Sequence, residues 1–200
     1  GYRCEVAGLT LDYSKHLLDD NAWQTLLTLS DTQALPAAFA SLIGGEIVNT
    51  SEHRPALHSL LRGTASDQHP EKSKEVEETL SRMAALVESI HSGASTGSTG
   101  ERFTDVVNLG IGGSDLGPRL VCAALHTHAA PLNAHFVANI DPDDLDGTLA
   151  PLNPETTLFV ICSKSLSTEE TLSNAERAID WLQAGGIQGQ ALGAHLIAVT

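Results

Sequence analysis

The sequence predicts an α/β fold: a parallel sheet with helices on both faces, a three-layer α/β/α sandwich, preceded by a helical N-terminal segment. Three observations carry this. From Val106 onward, short apolar runs alternate with segments of helical period. Runs such as Leu158-Phe159-Val160-Ile161 are apolar at every position, as strands buried on both faces are. The stretch Val106 to Pro118, VVNLGIGGSDLGP, passes from an apolar run through a glycine turn into a helical pattern. Alternation of this kind gives a parallel sheet with right-handed crossovers.

Along the chain, residues 9–63 read as helical with short breaks. Trp23, Leu26, Leu27 and Leu29 form one apolar cluster, and Leu35, Phe39, Leu42 and Ile43 follow at helical spacing. Gly44-Gly45 stops that helix, and Pro55 opens a short one carrying Leu57, Leu60 and Leu61. Residues 64–74 are polar and read as a connection, so the helical segment is expected over 1–70 and the α/β domain over 71–200. Val76, Leu80, Met83, Val87 and Ile90 step by four, three, four and three, the pattern of an amphipathic helix. SGASTGSTG at 92–100 reads as a loop. Strands are then expected over 105–110, 134–138, 157–162 and 195–200, with helices over 115–127, 142–149 and 167–183 between them.

Two hundred residues with 42% apolar content support one core, or one and a smaller piece. The net charge of −14 and pI near 4.8 argue against nucleic acid and anionic membrane surfaces as partners. No apolar run approaches the length of a membrane span. The start, GYRCEVAGLTLDYSK, lacks the basic head and apolar core of a signal peptide. Cys4, Cys122 and Cys162 are widely spaced and odd in number, which fits a reducing cytoplasm. Cys122 and Cys162 sit in apolar runs and read as buried small hydrophobes. The closest histidines, His126 and His128, lie on different faces of a helix and have no carboxylate at the spacing a metal site needs. No metal site is expected from these residues.

The turn Gly110-Ile111-Gly112-Gly113, followed by Ser114 and Asp115, exposes bare backbone at a helix start. Such a place suits an anion or a sugar hydroxyl, or forms a tight turn with no ligand. It is neither of the usual nucleotide loops. A dinucleotide fingerprint from Gly110 needs glycine where Asp115 stands, and a P-loop from Gly112 needs lysine where Pro118 stands.

A second loop follows the strand ending at Cys162. Ser163-Lys164-Ser165-Leu166-Ser167-Thr168 crowds four hydroxyls and a lysine where a helix should start. Ser167 and Glu170 have capping-box spacing. Capping would use only one or two of the hydroxyls, and a lysine opposes the dipole of a helix N-terminus unless an anion reverses the sign there. Both loops fall at C-terminal strand ends of one sheet, where open α/β folds bind ligands. One small phosphorylated ligand is therefore expected between them.

VVNLGIGGSDLGP, FVANID, LNPETTLFVICSKSLSTEETLSNAE and NTSEHRPALHSLLRG together resemble segments of the glucose-6-phosphate isomerase family, in the same order along the chain. The resemblance runs from about Leu11 to the end. It implies a flavodoxin-like sugar-isomerase (SIS) domain with a five-stranded parallel sheet, the first of two such domains, truncated at its C-terminal end. It also implies interconversion of glucose 6-phosphate and fructose 6-phosphate in glycolysis and gluconeogenesis, without cofactor, by a cytoplasmic homodimer. The positions matching Gly113 and Ser114 would contact the sugar, and those matching Ser163, Lys164, Ser165, Leu166, Ser167 and Thr168 would hold the phosphate. The family has threonine and phenylalanine where Ser165 and Leu166 stand and threonine for Ser167. The hydroxyls survive these changes; the aromatic does not. The family's general-base glutamate and its ring-opening histidine and lysine lie downstream of Thr200, the histidine coming from the partner subunit. The chain is thus expected to bind the substrate, with no catalytic residue of its own and no activity alone. A non-catalytic sugar-phosphate-binding module is the alternative. Asp115 is expected to support the helix start.

Overall fold

The computed structural model describes residues 2–63, 67–125 and 130–200. The His126–His128 pair, the end of the helix expected over 115–127 and part of the 64–74 connection lie outside the described residues. The chain forms two compact units, Gly1–Leu80 and Ser81–Thr200.

The first unit opens with a feature that corrects the helical reading of residues 9–63. β1 (Arg3–Val6) and β2 (Leu9–Asp12) pair antiparallel from Arg3↔Asp12 to Val6↔Leu9. Ala7 and Gly8 both have positive φ, +50° and +77°, the backbone that matches a two-residue hairpin turn to the strand twist. Alanine rarely adopts that conformation, so Ala-Gly does not announce a hairpin as Asn-Gly would. The hairpin ends on an aromatic group: Tyr13 stacks on Trp23 at 5.2 Å and meets Tyr2 edge-on at 5.8 Å. α1 (Asp20–Thr32) starts where Asp19 accepts a hydrogen bond from the Ala22 N–H at 2.7 Å. α2 (Leu35–Ile43) begins with Pro36 in its first turn and stops at Gly44, as the glycine pair implies. Leu57–Arg62 is a 3-10 helix.

α3 (Pro70–Ser92) follows the expected period, with Leu80, Met83 and Val87 exposed. The second unit is then built on β3 (Asp105–Leu109), β4 (Asn133–Val137), β5 (Thr157–Cys162) and β6 (Leu196–Val199), all parallel and ordered β4-β3-β5-β6. Four strands are described where the resemblance implies five. α4 (Gly113–Leu125), α5 (Pro142–Leu149) and α6 (Glu169–Ala184) are the connecting helices, and the expected α/β architecture is the one observed.

Pleating sends alternate residues to opposite faces. Val107, Leu109, Val137 and Phe159 pack with Leu145 and Leu149 of α5 and Ala175, Ala178 and Leu182 of α6. Phe159 is fully buried and meets Trp181 edge-on at 5.9 Å; burying such a ring contributes roughly 1.5–3 kcal/mol. α4 lies on the other face, its Arg119 over the Phe136 ring at 5.1 Å. Leu86 and Ile90 of α3 line a groove with Phe103, Leu158 and Ile197.

Buried His195 ties the loop after α3 to the sheet. The Ser98 N–H donates to its Nε2 at 2.9 Å, which leaves Nδ1 to donate to the Thr157 carbonyl at 2.9 Å. At the N-terminal end of β3, Asp105 accepts from His135 (2.9 Å), Thr104 (2.7 Å) and Asn133 (3.2 Å). Burial pushes the Asp105 carboxyl up, but these three hydrogen bonds outweigh it and hold the group below its usual 3.8. A depressed carboxyl contributes stability that is present above its unfolded pKa and lost as pH falls through the folded one. Asp105→Asn should therefore lower the urea midpoint at pH 6, with the gap from wild type closing below about pH 4; a gap constant with pH would contradict the assignment.

Candidate functional site

β3 takes β4 on one side and β5 on the other, so the connections leaving β3 and β5 diverge and leave a crevice at the C-terminal end of the sheet. The in-register pair Leu109↔Ile161 puts Gly110, the first residue of one loop, beside Cys162, the residue directly before the other. The ladders end at the loops: the Gly110 N–H still donates to the Val137 carbonyl at 3.3 Å, and the Ser163 N–H to that of Val199 at 3.0 Å. Gly113 and Ser114 thus follow the end of β3, and Ser163 to Thr168 follow the end of the adjacent strand β5.

The glycines of the first loop have different reasons. A Cβ on Gly110 would sit 2.7 Å from the Ser114 carbonyl oxygen, and Gly112 has φ of +59°. Both are fixed by the backbone. Gly113 has neither constraint: a Cβ there would meet nothing within 4 Å. Its missing side chain leaves an open approach to the start of α4. Ser114 follows at the second position of that helix.

Asp115 does not cap α4. It is buried, and both carboxylate oxygens accept from Arg119, at 2.8–3.1 Å. The Asp115 hydrogen bonds raise the Arg119 pKa, and Arg119 in turn donates to the Phe136 carbonyl at 3.4 Å. The i,i+4 spacing of acid and base was the available signal.

In the second loop Ser163 is buried, and Lys164 to Ser167 are exposed. The helix starts later than the capping-box spacing implies. Its N-cap is Thr168, without a side-chain cap, because the Thr168 and Ser163 hydroxyls pair at 3.3 Å. The Ser165 and Ser167 hydroxyls pair at 2.6 Å, bracketing Leu166 at φ +48°. Lys164 stands in the loop, five residues before α6, so it does not oppose the dipole directly. Its carbonyl accepts from the Thr200 hydroxyl at 3.2 Å, and its ammonium ion-pairs with no carboxylate among the described residues.

The residue missed by the sequence reading is Asn108, the polar member of the β3 run. It is buried, its Nδ2 donates to the Ser114 carbonyl at 3.0 Å, and its Oδ1 accepts from the Cys162 thiol at 3.1 Å. Burial pushes the Cys162 thiol up, keeping it a donor. Cys162 is buried as expected, but Cys122 is exposed, as are Leu116, Leu120 and Leu125 of the same helix.

A groove of roughly 550 Å³ lies away from both loops, between α4 and β4. Its lining, Cys122, Leu125, Leu132 and Phe136 among others, is apolar, and its cation, Arg119, is neutralised by Asp115. It offers little to a phosphorylated sugar. Among the described residues no three His, Cys, Asp or Glu side chains are grouped to hold a metal, and no single helix is long and apolar enough to cross a membrane.

The sequence model of the phosphoglucose isomerase family matches residues 12–200. The glucose-6-phosphate isomerase of Saccharophagus degradans is 46% identical over 200 residues, covering 100% of this chain and 36% of the relative. That of Ralstonia nicotianae is 43% identical over 204 residues, covering 100% and 38%. The chain thus spans little more than a third of these relatives' length. A crystal structure of a glucose-6-phosphate isomerase from Chlamydia trachomatis superposes with a TM-score of 0.81 at 27% identity, covering 100% of this chain and 38% of that one.

The two glycines at the start of the loop and of α4 should respond oppositely to alanine. Gly110→Ala should destabilise the fold by about 1–3 kcal/mol through the Ser114 clash. Gly113→Ala should be neutral or stabilising by up to about 1 kcal/mol, since alanine is the better helix former. Thermal melts of the two variants check this.

Proposed function

The chain belongs to the phosphoglucose isomerase family, and from that premise we propose that it forms the substrate-holding wall of an aldose–ketose isomerase acting on glucose 6-phosphate and fructose 6-phosphate. The observation that carries this reading is the pair of unlike loops on adjacent parallel strands. One is bare backbone with a serine; the other holds four hydroxyls and a lysine.

The chemistry divides between them. Isomerisation moves a proton between C1 and C2 of the sugar and needs a base near those carbons and a donor for ring opening. The phosphate, at C6, is remote from the reacting carbons and serves as a handle. Ser163, Lys164, Ser165, Ser167 and Thr168 grip it. Leu166 supplies main chain and turn geometry. Gly113 and Ser114 meet the sugar. Gripping both ends fixes C1 and C2 relative to the base, an orientation effect. The family resemblance assigns the glutamate, histidine and lysine that transfer protons to positions beyond residue 200. Action in the cytoplasm as a homodimer belongs to the same reading, as does a place in glycolysis and gluconeogenesis.

The test combines binding with kinetics. 6-Phosphogluconate, a phosphorylated acid of the same length as the substrate, should give a calorimetric binding isotherm. In the full-length protein, Lys164→Ala should raise KM for fructose 6-phosphate about 10- to 100-fold, the equivalent of one charge-assisted hydrogen bond. Unchanged kinetics would remove Lys164 from the phosphate grip, and absence of 6-phosphogluconate binding would remove the function.

A further inference from the structure

VVNLGIGGSDLGP contains two residues that the substrate reading leaves unused, Asn108 and Pro118, and the structure connects them. Pro118 lies inside α4, where the N–H of residue 118 would ordinarily donate to the carbonyl of Ser114, four residues earlier. Proline has no N–H, and its ring crowds that carbonyl. The Ser114 carbonyl is thus deprived of its own helical partner. Asn108 Nδ2, from β3, supplies the missing donor at 3.0 Å. Its other end is also fixed, because Oδ1 accepts from the Cys162 thiol at 3.1 Å. Cys162 is the last residue of β5, directly before the second loop. The amide cannot flip without setting its oxygen against the Ser114 carbonyl oxygen.

One buried amide therefore clamps the first turn of the sugar loop's helix to the strand that launches the phosphate loop. We propose that Asn108 is a positioning residue that sets the separation of the two loops, with Pro118 making α4 dependent on it. This rests on the substrate assignment above. It implies discrimination by ligand length. A ligand that touches only the second loop should not sense the clamp, whereas one that spans both loops should.

The test uses the full-length protein carrying these residues and two probes, inorganic phosphate and 6-phosphogluconate, titrated calorimetrically. Asn108→Asp keeps the acceptor for Cys162 but turns an oxygen toward the Ser114 carbonyl. It should weaken 6-phosphogluconate about tenfold or more while leaving inorganic phosphate within about twofold. Adding Pro118→Ala returns a helical N–H to Ser114. It should recover thermal stability without recovering 6-phosphogluconate affinity. Recovery of both, or equal loss of both probes, would make Asn108 a filler of a helix defect and overturn the proposal; so would an unchanged 6-phosphogluconate affinity in Asn108→Asp. Should Asn108→Asp fail to fold, Cys162→Ala and Cys162→Ser decide. Serine still donates to Oδ1 and should keep wild-type affinity, whereas alanine should selectively weaken 6-phosphogluconate; equal affinities would overturn the clamp. Wild-type protein that binds neither probe would instead defeat the substrate assignment, and the clamp with it.

Discussion

The two parallel ladders on β3 govern the rest of the second unit. β4 pairs with one edge and β5 with the other, both in register over the whole of β3. Parallel partners need crossovers, and those crossovers place α4 on one face and α5 and α6 on the other. The chain leaving β3 and the chain leaving β5 therefore turn away from each other while their strands stay about 4.8 Å apart. A crevice between them follows without any residue being chosen to make it. What sequence chooses is the content of the two turns. Gly110 and Gly112 satisfy the backbone of the first turn, and the hydroxyls of the second pair with one another.

α4 is held to the sheet differently from α5 and α6. The latter bury leucine and alanine against Val107, Leu109 and Phe159. α4 is anchored by polar contacts, Asn108 to the Ser114 carbonyl and Arg119, paired with Asp115 of its own helix, to the ring and carbonyl of Phe136, while Leu116, Leu120 and Leu125 remain exposed. Apolar contacts tolerate sliding; directional hydrogen bonds do not. A helix whose first turn is proposed to form part of a binding wall gains a defined position from the second kind. A buried amide left half-satisfied would cost more than an apolar residue in its place, so both ends of Asn108 have to be met.

The legibility of the fold in the sequence follows the same division. β3 to β6 and α5 appear within a residue or two of their expected bounds, because strands buried on both faces must be apolar throughout and helices must be periodic. Both loops were legible from composition, since glycines and clustered hydroxyls have few other uses at strand ends. The hairpin over residues 3–12 was not, because its strands are fully exposed and its turn uses alanine in a left-handed conformation. Cys122 misled because an apolar run implies burial only where something covers it. Asn108, Asp115 and Thr168 were missed or misread for a common reason. Each makes its bond to a partner that local helix signals compete with: a carbonyl orphaned by a proline, a guanidinium at i+4 where a helix-start role was read, a hydroxyl five residues back.

The position of Lys164 changes the electrostatic argument rather than weakening it. With −14 overall, the chain does not draw an anion from a distance. The first turn of α6 carries Glu169 and Glu170, which already complement the positive end of its dipole. On the proposed reading a phosphate entering the loop would therefore have to find its donors in the loop, and Lys164 is the cation among those six residues. An exposed ammonium is screened over about 8 Å at physiological salt, so it attracts only a ligand that has already arrived. On the proposed reading the hydroxyls would exchange their bonds to one another, Ser165 with Ser167 and Ser163 with Thr168, for bonds to the anion; each pair shares a single hydrogen bond, whereas an anion can accept from both hydroxyls. On the proposed substrate assignment, capture would be set by the fit of the loop around the phosphate, and the spacing of that loop from Gly113 and Ser114 would convert a phosphate site into a sugar-phosphate site.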